Sequence, residues 1–315
     1  MSWSGRQILL TGSSGFVGGA LRSKLVSLGA QVVSVDVRAS PGQDVRFLQE
    51  LLATIRSHEI DTVFHLAAVA EVGVFAKSPF ESFDVNVRGT QAVLEACRLA
   101  GTVKSIVIAS SDKVYGNCVR ATEDSPLNGI NPYDASKICA DVIARSYAKT
   151  YGLPVVVSRC SNIYGPGDRH MSRIVPSTVA SALAEKDIEI RSDGKALREY
   201  TYISDAVDAY LLLAESAQKY SGQAFNFGSG EVCSVITLVR KILHIAGSQS
   251  DVRILGTDKN YIRRQSLDSS KAQKLLGWSV KVSLTEGLEK TIDAARREIM
   301  LAPAQHPTKR PIWPF

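Results

Sequence analysis

The run Ile8 to Leu10 passes without a break into Thr11-Gly12-Ser13-Ser14-Gly15-Phe16-Val17-Gly18, and residues 16–28 then carry apolar side chains three and four positions apart. A strand that turns on glycines straight into an amphipathic helix is the strongest constraint in the chain. Glycine permits the tight turn and the close backbone approach, while the first N–H groups of the helix stand without partners at its positive end. Such a turn suits a pyrophosphate. Gly12, Ser14, Gly15, Phe16, Val17 and Gly18 are therefore the expected cofactor loop of a dinucleotide site.

Around this loop, β-branched runs at 8–11, 31–35, 62–65, 105–109 and 154–158 alternate with helical periodicity at 16–28, 80–99 and 133–150. Strands separated by helices pair in parallel and bury both faces, which predicts an α/β fold of the Rossmann type: a doubly wound parallel sheet. Beyond Arg159 the rhythm loosens, with Gly165, Pro166 and Gly167 in a loop and helical stretches at 204–215 and 284–297. The expected division is a dinucleotide-binding domain over 1–160, completed by helices and a strand returning from the C-terminal half. A smaller mixed α/β substrate lobe then covers 161–300, and a proline-containing tail covers 301–315.

The composition excludes several classes. No window reaches the about 18 uninterrupted apolar residues of a membrane span, and the N-terminus lacks the pattern of a cleaved signal, so a cytoplasmic, non-membrane protein is expected. The net charge is +6, but its Lys and Arg residues are scattered, which favours a small anionic substrate over nucleic acid. The five cysteines (97, 118, 139, 160, 233) form no C-x-x-C pair, and His170 has no second ligand at suitable spacing, so neither disulfides nor a metal are expected.

Asp36 ends the second strand, about 20 residues past the loop, where a carboxylate accepts from ribose hydroxyls and repels a 2′-phosphate. NAD is thus the expected cofactor. Arg38 is the one residue that speaks for NADP, and it also reads as a solvated surface charge. Asp44 and Val45 are expected to flank the adenine.

Tyr133-Asp134-Ala135-Ser136-Lys137 opens a helix behind Asn131 and Pro132. Four-residue spacing puts the phenol and the ammonium on one face, where Lys137 is expected to lower the pKa of Tyr133 and make it a base. Joined to the glycine loop, this pair resembles the extended short-chain dehydrogenase/reductases, the group of sugar-nucleotide epimerases and dehydratases. The resemblance runs from about Arg6 to Arg297. It also rests on His65-Leu66-Ala67-Ala68, Asn86-Val87-Arg88-Gly89-Thr90, Ser110 to Gly116, and Arg159-Cys160-Ser161-Asn162-Ile163-Tyr164-Gly165.

The resemblance implies that Leu66, Ala67, Ala68, Asn86 and Ser110 line the cofactor with Tyr133 and Lys137, Asn86 also supporting the active-site helix. It implies that Ser111 bonds the sugar oxygen being oxidised, and that Asn162, Arg173, Ile174, Arg198 and Arg263 hold the nucleotide sugar. The family's usual phosphate-binding arginine would fall near Asp258 and Lys259, a departure from the pattern. Relatives pair the helices at 80–99 and 133–150 into a homodimer, for which Val93, Cys97, Ile143 and Tyr147 are expected to face outward.

Ser111-Asp112-Lys113 speaks to the reaction. Two adjacent ionisable groups at the end of the catalytic strand are costly to bury unless they work or pair with each other. The triplet resembles nucleotide-sugar 4,6-dehydratases, the CDP-glucose enzymes in particular, and implies Lys113 as base at C5 and Asp112 as acid at the C6 hydroxyl. A structural ion pair is the other reading of these two residues. A nucleotide-sugar epimerase and a non-catalytic NAD-binding regulator are the alternatives for the whole chain.

Overall fold

The structure, a computed structural model, describes residues 2–39, 42–258 and 261–301. Six parallel strands form the central sheet: β1 (Gln7–Thr11), β2 (Gln31–Val35), β3 (Thr62–His65), β4 (Ser105–Ala109), β6 (Val155–Cys160) and β10 (Ala224–Phe227). A short strand between the fourth and fifth of these, β5 (Cys118–Ala121), lies outside the sheet. The spatial order is β10-β6-β4-β3-β1-β2. After β2 the chain returns to the other side of β1, so β1 and β3 flank the switch point where open α/β sheets hold ligands.

Successive residues of these strands point to opposite faces, and the sequence fills both. Ile8, Leu10, Phe64, Val107 and Val156 belong to one core, capped by α1 (Phe16–Ser27) and, from the C-terminal half, α8 (Ile203–Ser216). Leu9, Val63, Ile106, Ile108, Val155 and Val157 belong to the other, under α2 (Leu48–Ser57), α5 (Gly89–Ala100) and α6 (Pro132–Tyr151). The short helices α3 (Val72–Lys77) and α4 (Pro79–Phe83) precede α5.

The second lobe is built from small sheets. β9 (Leu197–Tyr202) lies between β7 (Asn162–Tyr164) and β11 (Val232–Ser234); β8 (Ile188–Ile190) pairs with β12 (Val252–Ile254). β13 (Gln265–Leu267) runs parallel to β5 and so crosses back to the first half. α7 (Ile174–Leu183), α9 (Val235–Ala246), α10 (Ser270–Leu276) and α11 (Leu284–Leu301) complete the chain. The expected tail lies, apart from Leu301, outside the described residues. Among the described residues no helix is long and apolar enough to cross a membrane.

Two expectations change here. The segment 80–99 is not one α-helix: Asp84–Arg88 is a π-turn between α4 and α5, which directs Asn86 inward. Val93 and Cys97 do not face outward. They are 0% and 1% exposed, because α2 covers that side of α5. Ile143 and Tyr147 are half-buried.

Candidate active site

The glycine loop, Asp36, Leu66 to Ala68 and Ser110 to Lys113 follow the C-terminal ends of the parallel strands β1, β2, β3 and β4. Gly12 leaves β1 at φ +72°, and a Cβ there would lie 2.7 Å from the Ala67 nitrogen; a Cβ on Gly18 would collide with the Gly12 carbonyl. Only glycine lets the loop pack this closely. α1 has Gly15 as its N-cap with no side-chain cap, so its first N–H groups are open to an anion. The donor set and the glycine cradle fit a dinucleotide pyrophosphate.

Asp36 is 6% exposed; one carboxylate oxygen accepts from the Ser14 N–H at 2.8 Å and the other from the Arg38 N–H at 2.9 Å. It thus fastens the loop from β2. Arg38 itself is exposed. Asp44, expected to flank the adenine, is held by an arginine. Both its oxygens are taken by the Arg46 guanidinium, which also reaches Asp84 at 3.0 Å, and the Arg46 hydrogen bonds hold the Asp44 carboxyl below its usual range. Val45 is buried in the core.

Leu66, Ala67 and Ala68 form a half-buried wall beyond β3. A residue whose role sequence reasoning missed, His65, sets that wall. The Thr90 hydroxyl donates to the Asn86 carbonyl at 2.6 Å, so Thr90 accepts from the Nε2–H of His65 at 3.0 Å, leaving Nδ1 to accept from Thr11 Oγ1 at 2.8 Å. Thr11 Oγ1 in turn accepts from the Leu66 and Ala67 N–H groups, both at 3.1 Å. Burial, then the charge of Lys137, pushes His65 down to about 3.

Asn86 supports the site from behind. Its side chain accepts from Val69 N–H at 2.7 Å and donates to the Val69 carbonyl at 3.0 Å and to Ser136 Oγ at 2.9 Å, so its polar atoms brace loop and helix instead of meeting the cofactor. Tyr133 is held edge-on by Phe75 of α3, ring centroids 5.8 Å apart, a neighbour that a six-residue helix gave no periodicity to reveal.

The expected effect of Lys137 on Tyr133 is not seen. The Lys137 ammonium turns to the Ala109 carbonyl at 2.9 Å, and burial lowers it to about 8. Tyr133 is pushed up to about 12 by withdrawal from solvent and then by the charge of Asp112, with the Ser111 hydroxyl pulling the other way. Desolvation of both partners outweighs their shared helix face.

Ser111 caps the short 3₁₀ turn Asp112–Tyr115, accepting from the Lys113 N–H at 3.2 Å and donating to Asp112 Oδ1 at 3.0 Å. The Lys113 ammonium has three acceptors: Asp112 Oδ1 at 3.0 Å, Asn162 Oδ1 at 3.2 Å and Gln265 Oε1 at 2.8 Å. Asp112 is 1% exposed, and its Oδ2, like the Ser110 hydroxyl, is buried without a partner among the described residues. Asn162, expected on the diphosphate, bridges Lys113 and the Glu199 carbonyl, to which it donates at 3.0 Å. A second carboxyl near this turn, Asp134, is raised to about 6 by burial, and the sequence did not mark it as part of the site.

Arg173 precedes α7 and is paired with the Asp168 carboxylate at 3.2 Å; Ile174 begins that helix. Arg198 is half-buried, donates to the Leu197 carbonyl at 2.9 Å, and is lowered by burial. Arg263 is exposed at the lobe's edge. His170 meets Glu71 at 3.0 Å, joining the loop after β3 to the loop before α7, and no metal-binding cluster occurs among the described residues. Lys259 lies outside the described residues.

A sequence profile of the NAD dependent epimerase/dehydratase family matches residues 8–228. The chain is 31% identical over 310 residues to a UDP-glucose 4-epimerase of Mycolicibacterium smegmatis, covering 92% of this chain and 98% of that protein. It is also 31% identical over 244 residues to a trifunctional UDP-glucose 4,6-dehydratase, 3,5-epimerase and reductase of Arabidopsis thaliana; this spans 75% of the chain but 36% of that larger protein. The fold matches the crystal structure of a dTDP-glucose 4,6-dehydratase from Streptomyces venezuelae with NAD bound, at a TM-score of 0.85 and 29% identity, covering 92% and 97% of the two chains.

Proposed function

This chain belongs to the NAD dependent epimerase/dehydratase family, and from that premise we propose that it is a nucleotide-sugar 4,6-dehydratase. Its cofactor is NAD, held by the glycine loop, Asp36, the Leu66–Ala68 wall, Ser110, Tyr133 and Lys137. Bound there, NAD would supply the redox chemistry, a hydride acceptor for C4 and the source of the hydride given back at C6. Tyr133 takes the proton of the 4-hydroxyl, with Ser111 on the same oxygen. The ketone at C4 then acidifies the C5 hydrogen.

The observation that carries the dehydratase reading is the Lys113–Asp112 bond of 3.0 Å, with Asp112 Oδ2 buried and without a partner among the described residues. Passing one proton across that bond leaves an amine beside a carboxylic acid, the base and the acid that elimination requires. The amine takes the C5 proton, and the acid protonates the C6 oxygen as it leaves in water. Arg173, Arg198 and Arg263 are cations for the diphosphate.

A second reading is supported by the near full-length match to a UDP-glucose 4-epimerase. It uses the same Tyr133 and Ser111 and leaves Lys113 and Asp112 as a structural pair. The test is incubation with dTDP-, UDP-, GDP- and CDP-linked hexoses under mass detection. Loss of one water is expected; a changed sugar of unchanged mass would establish the epimerase instead. A homodimer through α5 and α6 belongs to the proposal, supported by exposed Tyr151 and Leu99 beside half-buried Tyr147, and sedimentation tests it.

A further inference from the structure

Lys113 and Gln265 are 152 positions apart in the chain, yet the Gln265 side chain, 2% exposed, reaches the ammonium at 2.8 Å. Its amide nitrogen faces the other way, donating to the Asp112 carbonyl at 3.0 Å and to the Gly116 carbonyl at 3.4 Å. One amide thus grips the lysine head and both ends of the turn that carries it. An ammonium has three protons, and Asp112, Asn162 and Gln265 match all three.

Gln265 is itself fixed from the second lobe. Two residues on, the Leu267 N–H donates to the Glu199 carboxylate at 2.9 Å, and Glu199 is 0% exposed. Gln265 pairs with Cys118 of β5, and the register shifts between it and Leu267, which pairs with Ala121. Asn162, the other amide on Lys113, donates to the Glu199 carbonyl.

We propose that Gln265 is a positioning residue of the active site, holding Lys113 against Asp112 so that the elimination step, and not the hydride step, depends on it. This rests on the dehydratase reading for its kinetic consequence, but not for the contact itself. Without Gln265 the ammonium loses an acceptor and the turn loses two donors, while Tyr133, Ser111 and Lys137 keep all their partners. Misplacement of a reacting group by about 1 Å costs on the order of 10²-fold.

The test uses the full chain with NAD and compares wild type, Gln265→Met and Gln265→Glu. In the first arm, acetic anhydride labels lysines, and peptide mass spectrometry reads Lys113 with Lys137 as internal reference. Gln265→Met should label Lys113 several-fold faster and Gln265→Glu, which keeps an acceptor, should restore protection; unchanged labelling of Lys113 overturns the proposal whatever the reaction. In the second arm, CDP-, UDP- and dTDP-glucose are followed through one turnover. Gln265→Met should form reduced nicotinamide at the wild-type rate and lose water on the order of 10²-fold more slowly. Equal slowing of both steps, or of neither, overturns the kinetic role. A wild-type product of unchanged mass would instead sink the dehydratase reading and leave the labelling arm to decide on Gln265.

Discussion

Arg159 and Asp141 meet through two parallel hydrogen bonds, Nε to Oδ2 at 2.8 Å and Nη2 to Oδ1 at 2.9 Å, with both side chains wholly withdrawn from solvent. The remaining guanidinium nitrogen donates to the Tyr115 hydroxyl at 2.7 Å and to the Glu123 carbonyl at 3.2 Å, and Tyr115 donates to Asn226 at 2.8 Å. The pair therefore ties α6 and β6 to the end of the turn that carries Asp112 and Lys113. Removing one partner strands a buried charge. Asp141→Ala is expected to cost about 3–5 kcal/mol in urea unfolding, and the double change Asp141→Leu with Arg159→Met much less.

Tyr133 lies in the first turn of α6 near Ser111 and Asp112, with Phe75 edge-on to its ring. Tyr133→Phe removes the hydroxyl proposed to take the 4-hydroxyl proton while keeping that edge contact. Turnover should fall roughly 10²- to 10⁴-fold with NAD affinity, read by calorimetry, within a few-fold of wild type. Retained turnover would remove Tyr133 from the chemistry.

The sign of the acid response follows from His65, whose pKa falls from the ordinary 6.5 to about 3 on folding. The unfolded chain binds the extra proton, so its stability contribution is full above about 6.5 and is lost as pH falls toward 3, by at most about 1.4 kcal/mol per pH unit. Asp134, raised to about 6, slopes the opposite way between 3.8 and 6 and is common to both proteins compared. Chemical denaturation of His65→Asn across this range should show a flatter acid loss than wild type; parallel curves would mean that His65 titrates normally.

Asp36 accepts from the Ser14 and Arg38 backbone N–H groups, and the proposed site adds the ribose hydroxyls of NAD to the partners of its carboxylate. Asp36→Ala should weaken NAD by about 10- to 100-fold, the value of hydrogen bonds to a charged group, and narrow the preference over NADP. Titration with both dinucleotides measures the ratio. An unchanged ratio would shift the selectivity to Arg38.

The parts legible in the sequence are those written in neighbouring residues. The glycine loop, Asp36 at the end of β2, and the Tyr133 and Lys137 face of α6 each follow from local spacing, and so do the strands of the first half. Gln265 escaped because its partner lies on a different lobe, and no period links them. Arg46 escaped because its claim on Asp44 depends on Asp84 from a later helix. Val93 and Cys97 were misassigned for a related reason: an apolar stripe announces burial without saying whether α2 or a second subunit supplies it. The π-turn at Asp84–Arg88 is invisible to a 3.6-residue period, yet it aims Asn86 at Val69.

The sixth strand has a consequence for how the protein comes into being. β10 brings Phe225 and Phe227, both 0% exposed, to the side of β6, but it is translated only after β7, β8, β9 and α8. Until then a growing chain offers an unpaired, apolar strand edge, a template for wrong pairing that persists for several seconds at about 5–20 residues per second of synthesis. A gene cut after residue 160 makes that exposure permanent. The edge that β10 closes thus stays open in any fragment that stops short of it.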